Sequence, residues 1–356
     1  MIKYTLVGCG RIAKNHIQAA IACPDVQIAA LCDLEAEKTP SLAARFGLEH
    51  VNHYTDCRQM FEKEHPDLVA VATDSGSHFV VAMEAASHGC HVIVEKPVTL
   101  SLADADALAA VAQRQGVQIA VCHQNRFNPS VQRLRRAVEQ GDLGRLLYGA
   151  ATIRWNRGQE YYDQAPWRGK WATDGGALMN QCIHDIDLLR WMLGTPQEVW
   201  AVTERMNHRI EAEDFGAALV RFAGGSVGVI EGTTNVYPSN LEETLCLFGT
   251  QGTVKLGGTS LNLLEQWRVA GSSEDAAGLG EDCNQFPPDV YGFGHMPLYT
   301  DMLSAIKNGH TPYIPLSEGR AALELVLAIY EAAAAGKSVA LPLGDCATLK
   351  FTGRFG

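Results

Sequence analysis

No two cysteines in this sequence stand in a C-x-x-C pair; all ten are scattered singly between Cys9 and Cys346. That pattern argues against a disulfide framework or a thiolate zinc site and suits reduced thiols in a cytoplasm. No run of about 18 apolar residues occurs, so nothing is expected to span a membrane. Cations are in deficit, 29 Lys and Arg against 40 Asp and Glu for a net charge of -11. Nucleic acid and anionic membrane surfaces are therefore not expected as main partners. The opening MIKYTLVGCGRIAKNH lacks a secretory apolar region followed by a cleavage site, and its apolar part reads as a short strand. There is no internal repeat and no low-complexity tract. What remains is 356 residues, 47% hydrophobic and 19% charged, the composition of a soluble globular protein with room for two cores.

The first 120 or so residues alternate short apolar runs with helical patterns. KYTLVG, VQIAALCD, PDLVAVAT, HVIVEKP and QIAVCHQ are separated by segments of helical period. Runs of Val, Ile, Leu and Ala without polar alternation fit strands buried on both faces of a parallel sheet, and the βαβ rhythm implies a doubly wound domain. After Asn125 the rhythm changes. Following the helix SVQRLRRAVEQG come LLYGAATIRWN, a helix around Met179 to Leu193, and six strand-like stretches from EVWAVTERM to NLLEQWRV, mostly joined by glycine-containing turns. These predict an α+β domain on a large open, mainly antiparallel sheet. GSSEDAAGLGEDCNQFPPD reads as a surface loop, and helices from about Leu298 and Ser317 close the chain. The expected division is residues 1–122 for the α/β domain and 123–356 for the second.

VGCGRIA places Gly8, Gly10 and Ala13 in a G-x-G-x-x-A pattern directly after a strand and opening a helix. The first glycine permits the tight turn, the second lets backbone approach a pyrophosphate, and the small third residue allows close helix–strand packing. Asp33 ends the next strand 20 residues after Ala13, where a carboxylate bonds the ribose hydroxyls of an adenosine. Its charge repels a 2′-phosphate, and Leu34 and Glu35 supply no arginine to hold one, so NAD is the expected cofactor. Lys38, a turn of helix away, is the nearest cation.

The stretch GGALMNQCIHDIDLL carries another signal. On one helix Asn180, His184 and Asp187 share a face. Such a stripe is either an interior helix whose polar groups satisfy one another or the mount of a catalytic base. A metal reading, with His184 and Asp185 or Asp187 as ligands, lacks further clustered His or Cys, so no metal is expected.

Taken together, VGCGRIA, TDSGSH, VIVEKPVTL and GGALMNQCIHDID resemble the Gfo/Idh/MocA oxidoreductase family over nearly the whole chain. The resemblance implies that Lys96 of E-K-P sits beside the nicotinamide and the reacting hydroxyl, and that His184 takes the hydroxyl proton. It extends the cofactor set to Gly8, Gly10, Arg11, Ile12, Asp33, Thr73, His78, Glu95, Lys96, Trp167 and Arg168, and implies a cis Lys96–Pro97 bond. A neutral imidazole, titrating near about 6.5 when unperturbed, suits proton removal at cellular pH. Lys96 stabilises the developing alkoxide. Asp187 is expected to hold the helix or a domain seam. Two departures stand out: many inositol and sugar dehydrogenases of the family have Asp where this chain has Asn180, and the family glycine two residues before the histidine is here Cys182. Asn cannot carry charge, so Asn180 is expected to position a substrate oxygen. Cys182 reads as a packed small residue.

IRWNRGQEYYDQAPWRGKW, Ile153 to Trp171, sets Arg154, Arg157, Arg168 and Lys170 among five large aromatics. Guanidinium groups bind carboxylate or phosphate bidentately, and aromatic faces stack on sugars or bases. Aromatics filling a seam are the plainer reading. Together with MNQCIH and VYGFGH, RGQEYYDQAPWRG is most similar to the family's NAD-dependent dehydrogenases that oxidise the 3-hydroxyl of UDP-N-acetylglucosaminuronic acid. That resemblance implies an anionic nucleotide-sugar met by Arg157 or Arg168, with Tyr291 and His295 near the sugar, and a role in surface polysaccharide synthesis. An inositol or simple sugar dehydrogenase, and a catalytically silent nucleotide-sensing regulator, are the alternatives. The open sheet offers a face for self-association, and a homodimer or homotetramer is expected.

Overall fold

The computed structural model describes residues 1–355, and the chain divides into two compact units. The first comprises Met1–His123 and His295–Arg320, the second Gln124–Gly294 and Ala321–Gly356. The first crossing falls between His123 and Gln124. The return of His295–Arg320 to the first unit was not expected from the sequence.

In the first unit β1 (Ile2–Val7), β2 (Val26–Cys32), β3 (Asn52–Tyr54), β4 (Leu68–Val71), β5 (His91–Val94) and β6 (Ile119–Val121) form one sheet. Its order is β3-β2-β1-β4-β5-β6, with every pair parallel. This is the doubly wound arrangement whose strand order reverses beside β1. The central strands carry no polar alternation because both faces are covered, and every residue of LVAV in β4 is buried. The apolar runs did not reveal β3, three residues at the sheet edge, or the helix Cys57–Glu64. Asp56 starts that helix by accepting from the N–H groups of Arg58 at 2.9 Å and Gln59 at 3.4 Å. The returning segment joins this sheet through Val121 N–H, which donates to Ile314 O at 3.0 Å, and its Arg320 pairs with Asp106.

In the second unit β7 (Leu146–Arg154), β8 (Pro196–Glu204), β9 (Phe215–Phe222), β10 (Val227–Thr233), β11 (Glu242–Gly249), β12 (Gly252–Gly257), β13 (Leu263–Val269) and β14 (Val339–Ala340) form an eight-stranded sheet of order β13-β12-β11-β7-β10-β9-β8-β14. All pairs are antiparallel except β7 with β10. Helices press one face closely. A Cβ on Gly232 of β10 would lie 2.6 Å from Cys182 Sγ. The opposite face is open and apolar. Trp200, Leu219 and Val229 are cross-strand neighbours, 42%, 49% and 38% exposed, and Tyr148 stacks on Phe248 with centroids 4.2 Å apart.

Two expectations are corrected here. The helix foreseen around Met179–Leu193 is broken into Gly176–Asn180 and Ile183–Leu193, with a turn at Gln181–Cys182. Asn180 and His184 therefore do not share one continuous helix. The stretch read as a surface loop contains a helix, Ala276–Cys283, started by Asp275 Oδ1 accepting from Gly278 N–H at 2.8 Å. Among the described residues no helix is long and apolar enough to cross a membrane, and all ten cysteines are free thiols.

Helix Ile183–Leu193 is fastened by a buried ion pair. Asp187 accepts from Arg126 Nε at 2.7 Å and Nη2 at 2.6 Å, with both side chains almost wholly enclosed, and Arg126 lies over the Trp191 ring at 4.7 Å. Removing one partner strands the other charge. Asp187→Ala is expected to lower the stability of this unit by about 3–5 kcal/mol. Urea unfolding followed by tryptophan fluorescence checks this, and an unchanged midpoint would show that the pair contributes nothing.

Candidate active site

The glycine turn is built as the sequence requires. Gly8 has φ +96°, and a Cβ there would lie 2.5–2.6 Å from the backbone of Ala72 and Thr73, so only glycine fits. A Cβ on Gly10 would meet nothing within 4 Å, which leaves open room for a phosphate group before helix Ala13–Ile21. Ile12 occupies the N-cap of that helix. Asp33 is oriented by two backbone donors, Cys9 N–H to Oδ2 at 2.7 Å and Glu35 N–H to Oδ1 at 2.9 Å. Lys38 Nζ is only 4.0 Å from Asp33 Oδ1, nearer than the sequence suggested. Cys9, Gly10, Arg11, Lys14, Lys38 and Arg45 are among the residues lining a cavity of about 430 Å³. This donor set fits a dinucleotide: a glycine-lined approach, a helix N-terminus, flanking cations and a ribose-directed carboxylate.

Two residues expected to touch the cofactor are held in buried hydrogen-bond networks. His78 is buried; its Nδ1 lies 2.7 Å from Pro97 O and its Nε2 3.3 Å from Thr73 O. It ties the β4 turn to the Lys96–Pro97 bond, which is cis. Burial holds its basicity below the ordinary histidine range. Glu95 is likewise buried, and four donors converge on it. His16 Nε2 is 3.1 Å and His295 Nε2 3.3 Å from Oε1, Lys96 N–H donates to Oε2 at 3.2 Å, and the Cys122 thiol bonds the same carboxylate. Burial alone would raise Glu95, but the hydrogen bonds from His16 and His295 outweigh it and hold the carboxyl well below the usual range. His16 is kept neutral by burial. Its Nδ1, 2.8 Å from Tyr299 OH, therefore accepts, and Tyr299 in turn meets Tyr4 OH at 2.9 Å. His295, which the sequence left as either near the sugar or ordinary packing, lies in this cluster. The ligand-type atoms of His16, Glu95, Cys122 and His295 lie within 4.8 Å of one another, a gathering that their spacing in the chain gave no sign of.

In the second unit His184 stands in the first turn of Ile183–Leu193 and is partly exposed, while its neighbours Ile183, Asp185 and Ile186 are buried. The Asn180 carboxamide is set from both ends: its Nδ2 donates to Asp174 Oδ1, and its Oδ1 accepts from Gln181 Nε2 at 3.0 Å. Gln181 Nε2 also donates to Tyr161 OH at 3.0 Å, and Arg168 bonds the same hydroxyl. Arg168 lies over the rings of Tyr161 at 4.1 Å and Trp167 at 4.4 Å. Asp174, Asn180, Gln181, Tyr161, Arg168 and Trp167 thus form one connected array, in which Asp174, Gln181 and Tyr161 were not foreseen. Arg157 packs over Trp155 at 4.7 Å and Tyr161 at 5.3 Å. Arg154 is withdrawn from the candidates because Glu231 and Glu242 hold it at the sheet. Tyr291 sits in a turn, its N–H donating to Asp289 Oδ1 at 3.0 Å. Cys182 is fully enclosed and burial pushes its thiol well up, so it is packing and not a nucleophile. Burial also keeps Asp185 and Glu243 well above the ordinary carboxyl range.

A glycine-turn dinucleotide domain joined to an open-sheet unit bearing an accessible histidine defines a nicotinamide-dependent oxidoreductase. Residues 2–123 match the model of the oxidoreductase family with an NAD-binding Rossmann fold, and residues 131–255 match the GFO/IDH/MocA C-terminal domain. The chain belongs to this Gfo/Idh/MocA family of NAD-dependent oxidoreductases acting on CH–OH groups. It is similar to the WlbA dehydrogenase of Bordetella pertussis, solved with NADH and UDP-GlcNAcA, at 36% identity and TM-score 0.90 over 96% of this chain and 98% of that one. The Chromobacterium violaceum WlbA structure, also with NADH and UDP-GlcNAcA, is similar at 33% identity and TM-score 0.88 over 96% of each chain. D-apiose dehydrogenase of Paraburkholderia graminis is 27% identical over 95% of this chain and 89% of its own.

The Glu95 cluster makes a pH prediction. Because its folded-state pKa is depressed, the stability it contributes is fully present above the unfolded value of about 4.5 and lost as pH falls through the folded value. Glu95→Gln is expected to be less stable at pH 7 by about 1–3 kcal/mol. Below about pH 4.5 its stability should fall less steeply than that of the unsubstituted chain. Urea midpoints measured across this range check it; parallel pH profiles for the two proteins would refute it.

Proposed function

We propose that this chain oxidises the 3-hydroxyl of UDP-N-acetylglucosaminuronic acid, with His184 as proton acceptor and Lys96 positioning the hydroxyl. The full-length likeness to two structures that hold NADH and UDP-GlcNAcA carries this reading. Bound NAD would supply the hydride acceptor, and Gly8, Gly10, Arg11, Asp33, Thr73, Trp167 and Arg168 are the residues that would hold it. His184 takes the hydroxyl proton at an imidazole nitrogen as the carbonyl forms. The Lys96 ammonium stabilises the negative charge that grows on that oxygen. Asn180, its carboxamide set by Asp174 and Gln181, orients a substrate oxygen, and Arg157 or Arg168 meets the anionic part of the sugar nucleotide, with Tyr291 beside it. We infer further that the enzyme works in the cytoplasm towards surface polysaccharide, and that a second copy covers the open face of the eight-stranded sheet in a dimer or tetramer. Relatives named as D-apiose and myo-inositol 2-dehydrogenases, 27% and 24% identical, favour a second reading, oxidation of an uncharged sugar or polyol.

Absorbance of NADH formed with UDP-N-acetylglucosaminuronic acid, UDP-N-acetylglucosamine, glucose, D-apiose and myo-inositol separates the two. Reduction with the nucleotide uronate alone is expected, and reduction with a free sugar alone would replace the substrate. A keto acid added to reoxidise retained NADH guards against hidden turnover. Lys96→Ala and His184→Ala should each lower turnover by at least about 100-fold with NAD affinity largely kept. Unchanged turnover in both would remove the assigned roles.

A further inference from the structure

The second unit contains a cavity of about 720 Å³ lined by Arg168, Lys170, Arg205, His208, Arg209, Ile210 and Glu211. Four permanent cations face one carboxylate there, in a chain whose net charge is -11. The lone carboxylate is already engaged, since Glu211 Oε2 accepts from Trp171 N–H at 3.0 Å. The cations sit on backbone that is held in place. Arg205 Nη1 donates to Ile210 O at 2.9 Å, Arg209 N–H donates to Gln159 Oε1 at 2.8 Å, and the His208 ring is fixed between Asp214 Oδ2 at 3.0 Å and Arg157 O at 2.6 Å. Arg168 is clamped over Tyr161 and Trp167, yet its buried Nε has no acceptor. A buried guanidinium donor left unmade is costly, and an anion is the group that satisfies it.

We propose that this cavity binds a diphosphate. A single carboxylate would leave most of this charge and volume unanswered, whereas a diphosphate offers several charged oxygens to separated cations. Through Tyr161 OH, Arg168 connects to Gln181 and Asn180, which precede His184. Arg168 therefore belongs both to the cavity lining and to the array assigned to the sugar. On the dehydrogenase reading above, on which this last identification rests, the diphosphate is that of the sugar nucleotide, and Lys170, Arg205 and Arg209 become specificity residues that distinguish it from a free sugar.

NADH-saturated protein titrated calorimetrically with UDP, inorganic pyrophosphate and uridine tests the site without relying on turnover. Saturating NADH keeps the dinucleotide's own diphosphate from being the one measured. UDP and pyrophosphate are expected to bind with affinity that falls as salt rises, and uridine is expected not to. Lys170→Ala/Arg209→Ala, which breaks none of the hydrogen bonds described above, should weaken both anions tenfold or more while NADH affinity stays unchanged. Neither anion binding to the unsubstituted protein, or both binding equally well to the double variant, would overturn the proposal. UDP bound here with no oxidation of UDP-N-acetylglucosaminuronic acid would leave the cavity assignment standing and remove the substrate proposed above.

Discussion

One buried carboxylate holds the first unit in register. Glu95 gathers donors from helix Ala13–Ile21, from the end of β6, from the returning helix His295–Asn308 and from its own following residue. A carboxylate so deeply placed is tolerable only because each donor offsets part of its lost hydration. The geometry in turn dictates the surroundings. Helix Ala13–Ile21, which the glycine turn opens, must present His16 inward, and Lys96 leaves the strand beside a carboxyl that cannot turn away. The same cluster explains why His16 needs Tyr299 and why Tyr299 needs Tyr4. Each buried polar group passes its unsatisfied end to the next, until the chain ends on hydroxyls that can both donate and accept.

The second unit solves a related problem with permanent charge. Asp187, one turn beyond His184, is locked by Arg126, so helix Ile183–Leu193 is anchored through its interior while His184 keeps some exposure. Glycine at Gly232 lets Cys182 press against the sheet, which sets the depth of the turn before that helix. Asp185 and Glu243 are both buried, and burial pushes both carboxyls well up. Rigid support below and a polar group above is how a side chain is held for chemistry on a folded scaffold.

Much of this was legible from residue pattern. The apolar runs of the first unit gave five of its six strands, and the glycine turn and Asp33 stand at the ends of strands as their spacing implied. Asp187 was rightly read as structural. What failed did so for identifiable reasons. Helical period suggested one helix across Asn180 and His184, but the turn at Gln181–Cys182 is a packing decision made by the sheet beneath. His78 and Glu95 sit in motifs that suggest cofactor contact, and no local pattern reveals the burial and the hydrogen-bond partners that hold them. Arg154 looked free until its strand neighbours were known. His16, Cys122 and His295 come from distant parts of the chain, and nothing short of the fold could bring them together.

The insertion of the second unit has a consequence for synthesis. Between Glu95 and His295 lie 200 positions of chain, roughly 10–40 s of ribosome time at ordinary elongation rates. Throughout that interval the emerging first unit has its carboxylate and Tyr4 in place but lacks His295 and Tyr299. The domain that begins first thus keeps an unfinished polar core until its second segment, His295–Arg320, has been made, and the second unit in turn waits for the segment that follows Arg320.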